Sequence, residues 1–113
     1  MCAIAGWQLG QGSSLAAECL TEMGQALRHR GPDDSGEFRD DAANVALAHR
    51  RLAIIDLSSD SHQPMVDEQR RVALVYNGEL YNFRDLRNQL QVRGHVFRSR
   101  GDSEVVLRSY LEW

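Results

Sequence analysis

The sequence predicts a single α+β domain in which short antiparallel strands are flanked by helices. Three observations predict it. The chain has 113 residues, room for one domain and one modest core. Several brief runs rich in branched or aromatic residues lie between turn signals, which is the pattern of hairpin-forming strands. Three longer stretches instead repeat their apolar residues at helical spacing.

Taken in order, Ala3 to Leu9 is small and apolar before Gly10 and Gly12, and reads as a largely buried strand followed by a turn. From Ser14, a plausible cap, Leu15, Cys19, Leu20, Met23 and Leu27 recur on one helical face until about Arg28. The segment His29-Arg30-Gly31-Pro32-Asp33-Asp34-Ser35-Gly36 has the glycine, proline and short polar side chains of an ordered loop. Strands are expected at 36–39, 45–49, 52–55 and 72–76. A second helix fits 83–92, with Phe83, Leu86, Leu90 and Val92 as its stripe and Gly94 as its stop. A third starts after Asp102, and Val106, Leu107, Tyr110, Leu111 and Trp113 keep helical spacing to the last residue. The expectation is a chain cut within a helix.

Composition excludes several classes. With 42% apolar and 26% charged residues the chain is an ordinary water-soluble globular protein. A net charge of −3, without a cationic stripe, argues against nucleic-acid binding. No run is long enough to span a bilayer, so no membrane partner is expected. Met1 leads into apolar residues without a basic segment, which points to the cytoplasm. Cys2 and Cys19 are too few for a disulfide framework and are expected as free thiols. His29, His49, His62 and His95 show no metal-ligand spacing, so no metal site is expected.

Four features can carry chemistry, and each has a purely structural reading beside it. Cys2 becomes the first residue if Met1 is removed, and then carries a thiol and a free α-amine together. An α-amine titrates at about 7.7–8.0, so it can take the thiol proton near neutral pH. The alternative is a small buried hydrophobe, which is also the reading for Cys19. Tyr76-Asn77-Gly78-Glu79 reads either as a type I′ hairpin turn or as an oxyanion hole made by the Asn77 amide and the Gly78 N–H. In His49-Arg50-Arg51-Leu52 two arginines interrupt an apolar strand, to grip a carboxylate or to form a structural ion pair. Asp102 is a helix N-cap or a carboxylate that receives an ammonium group.

Taken together, Met1 to Gly6, Arg28 to Asp33, His49 to Asp56, Gln63-Pro64, Asn77 to Asn82 and Asp102 to Val105 resemble, in order, the motifs of the glutaminase domain of the glutamine-hydrolysing asparagine synthetase family. Position 3 is Ala where glycine is common, and Gly101 stands where serine is frequent. An aminosugar synthase type fits less well, because Pro32 follows Arg30-Gly31 where that type has tyrosine.

The resemblance implies an N-terminal-nucleophile hydrolase, a four-layer αββα sandwich with antiparallel sheets, incomplete at its C-terminus, and residues 1–113 as the front portion of a class II glutamine amidotransferase domain. It implies Cys2 as nucleophile, Asn77 and Gly78 as oxyanion hole, Arg51 as clamp on the glutamine α-carboxylate, and Glu79 with Asp102 as acceptors for its α-ammonium. Leu52, Ala53, Ile54 and Ile55 would line the pocket. No cofactor is implied for glutamine hydrolysis; Mg-ATP belongs to a synthetase domain, absent here and normally in the same chain, that converts aspartate to asparagine. A homodimer is one assembly it implies. The alternatives are ammonia supply to another acceptor, in sugar or natural-product amidation, and an inactive fragment serving as an interaction or dimerisation module.

Overall fold

The computed structural model describes residues 1–70 and 72–113. It is an α+β arrangement with two antiparallel sheets. The first has the order β1-β3-β2, formed by β1 (Ala3–Gln8), β2 (Asp34–Asp40) and β3 (Val45–Arg51). β2 and β3 are a hairpin whose turn places Asn44 at a φ of 52°, a conformation that asparagine tolerates better than most residues. Across β1 and β3, Ala5 lies opposite Ala48 and Trp7 opposite Ala46. These small residues let α1 (Ala17–Ala26) approach the sheet, and Leu20 is fully buried against Ala46 and Ala48.

The second sheet pairs β4 (Met65–Asp67) with β5 (Val72–Leu74), joining Met65 to Leu74. β5 leads through the 75–82 loop into α2 (Phe83–Val92), which packs against α3 (Asp102–Glu112). Leu90, Val105 and Leu107 are buried in this half. Gly94, at a φ of 96°, ends α2 as expected, and the His95 N–H closes back onto the Leu90 carbonyl at 3.0 Å.

Several expectations are corrected. The 52–55 segment is not a strand. Its backbone donors serve side chains and not a ladder: the Leu52 N–H donates to the Cys2 sulfur and the Ala53 N–H to Asp33 at 2.9 Å. Its apolar residues are also outward, with Ile54 65% exposed. β4 was unanticipated, because three residues are too short to show a period. Helix α1 begins later than Ser14, with Ala16 in the N-cap position and no side-chain cap, so Leu15 lies outside it and is exposed; Met23, within the helix, is exposed too. Val92, Tyr110 and Trp113 are exposed as well. The buried face of α3 instead runs through Asp102, Ser103, Glu104, Val105 and Leu107, because its first turn is covered by loops that bind its polar groups.

Candidate active site

A cavity of about 340 Å³ opens where β1, the end of β3, the 75–82 loop and the start of α3 meet. Cys2, Arg51, Leu52, Ile54, Ile55, Asn77, Gly78, Glu79 and Asp102 all line it. Ala53 does not; its N–H is engaged by Asp33. Residues as far apart in sequence as Cys2 and Asp102 converge because β1 lies beside β3 and the two loops close over the end of that pair. Such a concave, largely apolar site with a few convergent polar groups is the usual form of a small-molecule pocket.

Cys2 immediately precedes β1 and is half-buried. Its sulfur accepts the Leu52 N–H at 3.3 Å, while the thiol faces the Leu52 carbonyl at 3.6 Å. Both Cys2 and Cys19 are free thiols. Met1 borders the same cavity and is largely exposed.

Arg51, the last residue of β3, is buried, with 7% of its surface exposed. It has no carboxylate partner among the described residues. Its guanidinium donates to the Ser58 carbonyl at 2.9 Å and to the Asp56 carbonyl, so the 52–58 segment curls around it. The structural ion pair considered for Arg51 is therefore not formed, and its charge is held by neutral acceptors beside the cavity. Arg50 points its Nε into a buried position without a partner among the described residues.

Asn77 and Gly78 do not make a type I′ turn, because neither has a positive φ. Tyr76 before them is gripped at both backbone groups. Its N–H donates to Gln63 Oε1 at 2.6 Å, and its carbonyl receives His49 Nε2 at 3.2 Å. Burial lowers the His49 pKa and so favours the neutral ring with its proton on Nε2. Burial, with the nearby Asp102, Glu79 and Tyr81, raises that of the Tyr76 phenol. A Cβ at Gly78 would lie 2.9 Å from the Tyr76 hydroxyl, so glycine permits this packing.

Asp102 is the first residue of α3 rather than its cap; Gly101 takes the N-cap position without a side-chain bond. The Asp102 carboxylate instead accepts the Leu80 N–H at 2.9 Å and ties the 75–82 loop to α3. Gln63 adds a second tie, donating from Nε2 to Ser103 Oγ at 3.2 Å. Glu79 lines the cavity nearby and is exposed.

Asp56, Ser61, Gln63, Tyr76, Tyr81 and Ser103 also line the cavity and were not singled out for a role from sequence. Asp56, Gln63, Tyr81 and Ser103 fell within motifs, but only the folded hydrogen bonds of Asp56 and Gln63 reveal what those two hold. Burial works to raise the Asp56 pKa, yet bonds from Ser58, the Arg100 amide and Ser61 outweigh it and keep the carboxyl well below the usual range. Among the described residues no group of three or more His, Cys, Asp or Glu side chains is placed to hold a metal ion. No helix is long and apolar enough to cross a membrane.

A thiol, a buried guanidinium, the carboxylates of Asp56, Glu79 and Asp102 and an Asn-Gly pair thus share one pocket, a set suited to a zwitterionic amide substrate. Residues 1–113 match the model of the glutamine amidotransferase domain, and the chain belongs to that family. Among its relatives, it is 40% identical to asparagine synthetase [glutamine-hydrolyzing] 3 of Bacillus subtilis, over all of this chain and 18% of that protein. It is 39% identical to asparagine synthetase [glutamine-hydrolyzing] 1 of the same organism, over 82% of this chain and 14% of that protein. Asparagine synthetase [glutamine-hydrolyzing] 1 of Arabidopsis thaliana is 41% identical, over 83% of this chain and 15% of its own length. The chain therefore spans less than a quarter of these relatives.

Proposed function

We propose that this chain is the front portion of a class II glutamine amidotransferase domain that hydrolyses glutamine to glutamate and ammonia at Cys2. The convergence of Cys2, Arg51, Asn77, Gly78, Glu79 and Asp102 on one cavity carries the reading. Arg51 takes the substrate α-carboxylate, offering two parallel donors, while Glu79 and Asp102 take the α-ammonium. Leu52, Ile54 and Ile55 enclose the methylene chain. The side-chain amide then lies over the Cys2 sulfur.

The nucleophile requires removal of Met1, because the nitrogen of Cys2 is otherwise an amide. The freed α-amine accepts the thiol proton and the sulfur attacks the amide carbon. The oxyanion is held by the Asn77 side-chain N–H and the Gly78 backbone N–H, the groups positioned through Tyr76. The C–N bond breaks, the α-ammonium returns the proton, and ammonia leaves. Water cleaves the thioester, releasing glutamate and restoring the thiol.

The same reading completes the two sheets as an N-terminal-nucleophile αββα sandwich and makes a synthetase domain the recipient of the ammonia. The names of the relatives, glutamine-hydrolysing asparagine synthetases, support asparagine as the product; on this reading aspartate is the acceptor in an ATP-dependent step, with Mg-ATP on that other domain. It places the reaction in the cytoplasm. The test is release of ammonia and glutamate in equal amounts from glutamine by the Met1-processed protein. Cys2→Ala must abolish both; equal release by that variant would sink the assignment.

A further inference from the structure

We infer that Asp56 is a positioning residue that sets the spacing between the two ends of the glutamine site, an inference resting on the function proposed above. Asp56 uses its backbone and its side chain toward opposite walls of the cavity. Its carbonyl accepts the Arg51 guanidinium. Its carboxylate accepts the Arg100 N–H at 2.7 Å and the Ser61 hydroxyl at 2.9 Å through Oδ2, and the Ser58 N–H at 2.9 Å through Oδ1. One buried residue therefore joins Arg51, assigned to the α-carboxylate, to the loop two residues before Asp102, assigned to the α-ammonium.

The surroundings reinforce this connection and leave little slack. Arg87 holds the Ser99 and Gly101 carbonyls at 3.0 and 2.9 Å, and Glu104 receives the Ser99 N–H at 2.7 Å. The 98–101 loop is thus fixed to the two helices, and its link to the Arg51 side of the cavity is the Asp56 carboxylate. Gly101 lies so near this link that an added Cβ would stand 2.9 Å from Ser61 Oγ. A substrate held at both α-groups depends on their separation, whereas a substrate held at one does not. Misplacing bound groups by about 1 Å is enough to cost on the order of 100-fold in rate.

Asp56→Asn keeps the size and the Oδ1 acceptor but replaces the acceptor for Arg100 with an N–H group. The experiment measures how well glutamine, glutaramate (which lacks the α-ammonium) and 4-aminobutanamide (which lacks the α-carboxylate) protect Cys2 of the full chain from iodoacetamide. Asp56→Asn should weaken protection by glutamine about tenfold or more, with protection by either one-group analogue changed less than about threefold. Ser61→Ala, a milder cut in the same link, should show the same selectivity at smaller size, and melting curves identify a variant that does not fold. Equal losses for all three compounds, or none, in folded variants would overturn the positioning role alone. Failure of glutamine to protect Cys2 in the unaltered chain would overturn the proposed site and this inference with it.

Discussion

The sulfur of Cys2 and the backbone of Leu52 hold each other, with the Leu52 N–H 3.3 Å from Sγ and its carbonyl 3.6 Å away. The residue after the guanidinium-bearing Arg51 thereby sets the position of the thiol. Because those contacts use Leu52's main chain, Leu52→Ala should leave the thiol in place. Cys2→Ser should also fold, since a half-buried thiol is exchanged for a slightly smaller hydroxyl. We expect melting temperatures within a few degrees of the unaltered chain for both, corresponding to less than about 1 kcal/mol, and loss of thiol alkylation at position 2 only in Cys2→Ser. Global unfolding of Leu52→Ala would show that its side chain, and not its backbone, supports the site.

Arg51 couples binding to stability. Arg51→Ala leaves the Ser58 and Asp56 carbonyls without their donors, at about 1–3 kcal/mol for the buried Asp56 acceptor, while water can reach the exposed Ser58. Arg51→Lys retains charge but not the planar fork, and should weaken glutamine binding by about tenfold, or ~1.4 kcal/mol. Chemical denaturation and glutamine titration of both variants separate the two effects. Unchanged glutamine affinity in Arg51→Lys would remove Arg51 from the site.

Gly78 should tolerate little. Gly78→Ala places a methyl against the Tyr76 hydroxyl and turns that side chain off its preferred rotamer, at about 0.5–1.5 kcal/mol. The larger effect should be on the oxyanion step, seen as a fall in kcat for glutamine hydrolysis with KM little altered. An unchanged kcat would place the oxyanion donors elsewhere.

Stability should fall in acid through His49 and Asp56. The His49 pKa is lowered in the folded chain, so the unfolded chain binds more protons as pH falls below about 6.5 and stability declines there. The Asp56 pKa is also lowered, so its contribution is present above the unfolded value of about 3.9 and is lost as pH falls further. Melting temperature should therefore fall below pH ~6.5 and again below ~4. His49→Gln, which can still donate to the Tyr76 carbonyl, should flatten the upper decline; a profile identical to the unaltered chain's would contradict the His49 assignment.

Much of this was legible in the sequence because local signals and tertiary demands agreed. Gly94 marked the end of α2, and the Val45 run marked β3. The candidate site residues stood out as an ordered set of motifs, and nine of the ten line one cavity. Where the reading failed, long-range partners had overridden the local pattern. The 52–55 segment looked like a strand, but its amides are taken by Cys2 and Asp33. A hairpin turn was one of the two readings of Asn77-Gly78, but Gln63 and His49 hold the preceding residue in another course. A helix cap was one of the two readings of Asp102, but its carboxylate is drawn to the Leu80 amide. Side-chain partners 13 to 50 residues away leave no mark in a local window.

The most direct test of the account is intact-mass analysis of the protein treated with a glutamine-like electrophile that alkylates cysteine, with and without excess glutamine and beside Cys2→Ala. The account predicts loss of the Met1 mass, one adduct that requires Cys2, and suppression of that adduct by glutamine. Retained Met1, or labelling that glutamine does not suppress, would contradict the claim that Cys2 is the nucleophile of a glutamine site.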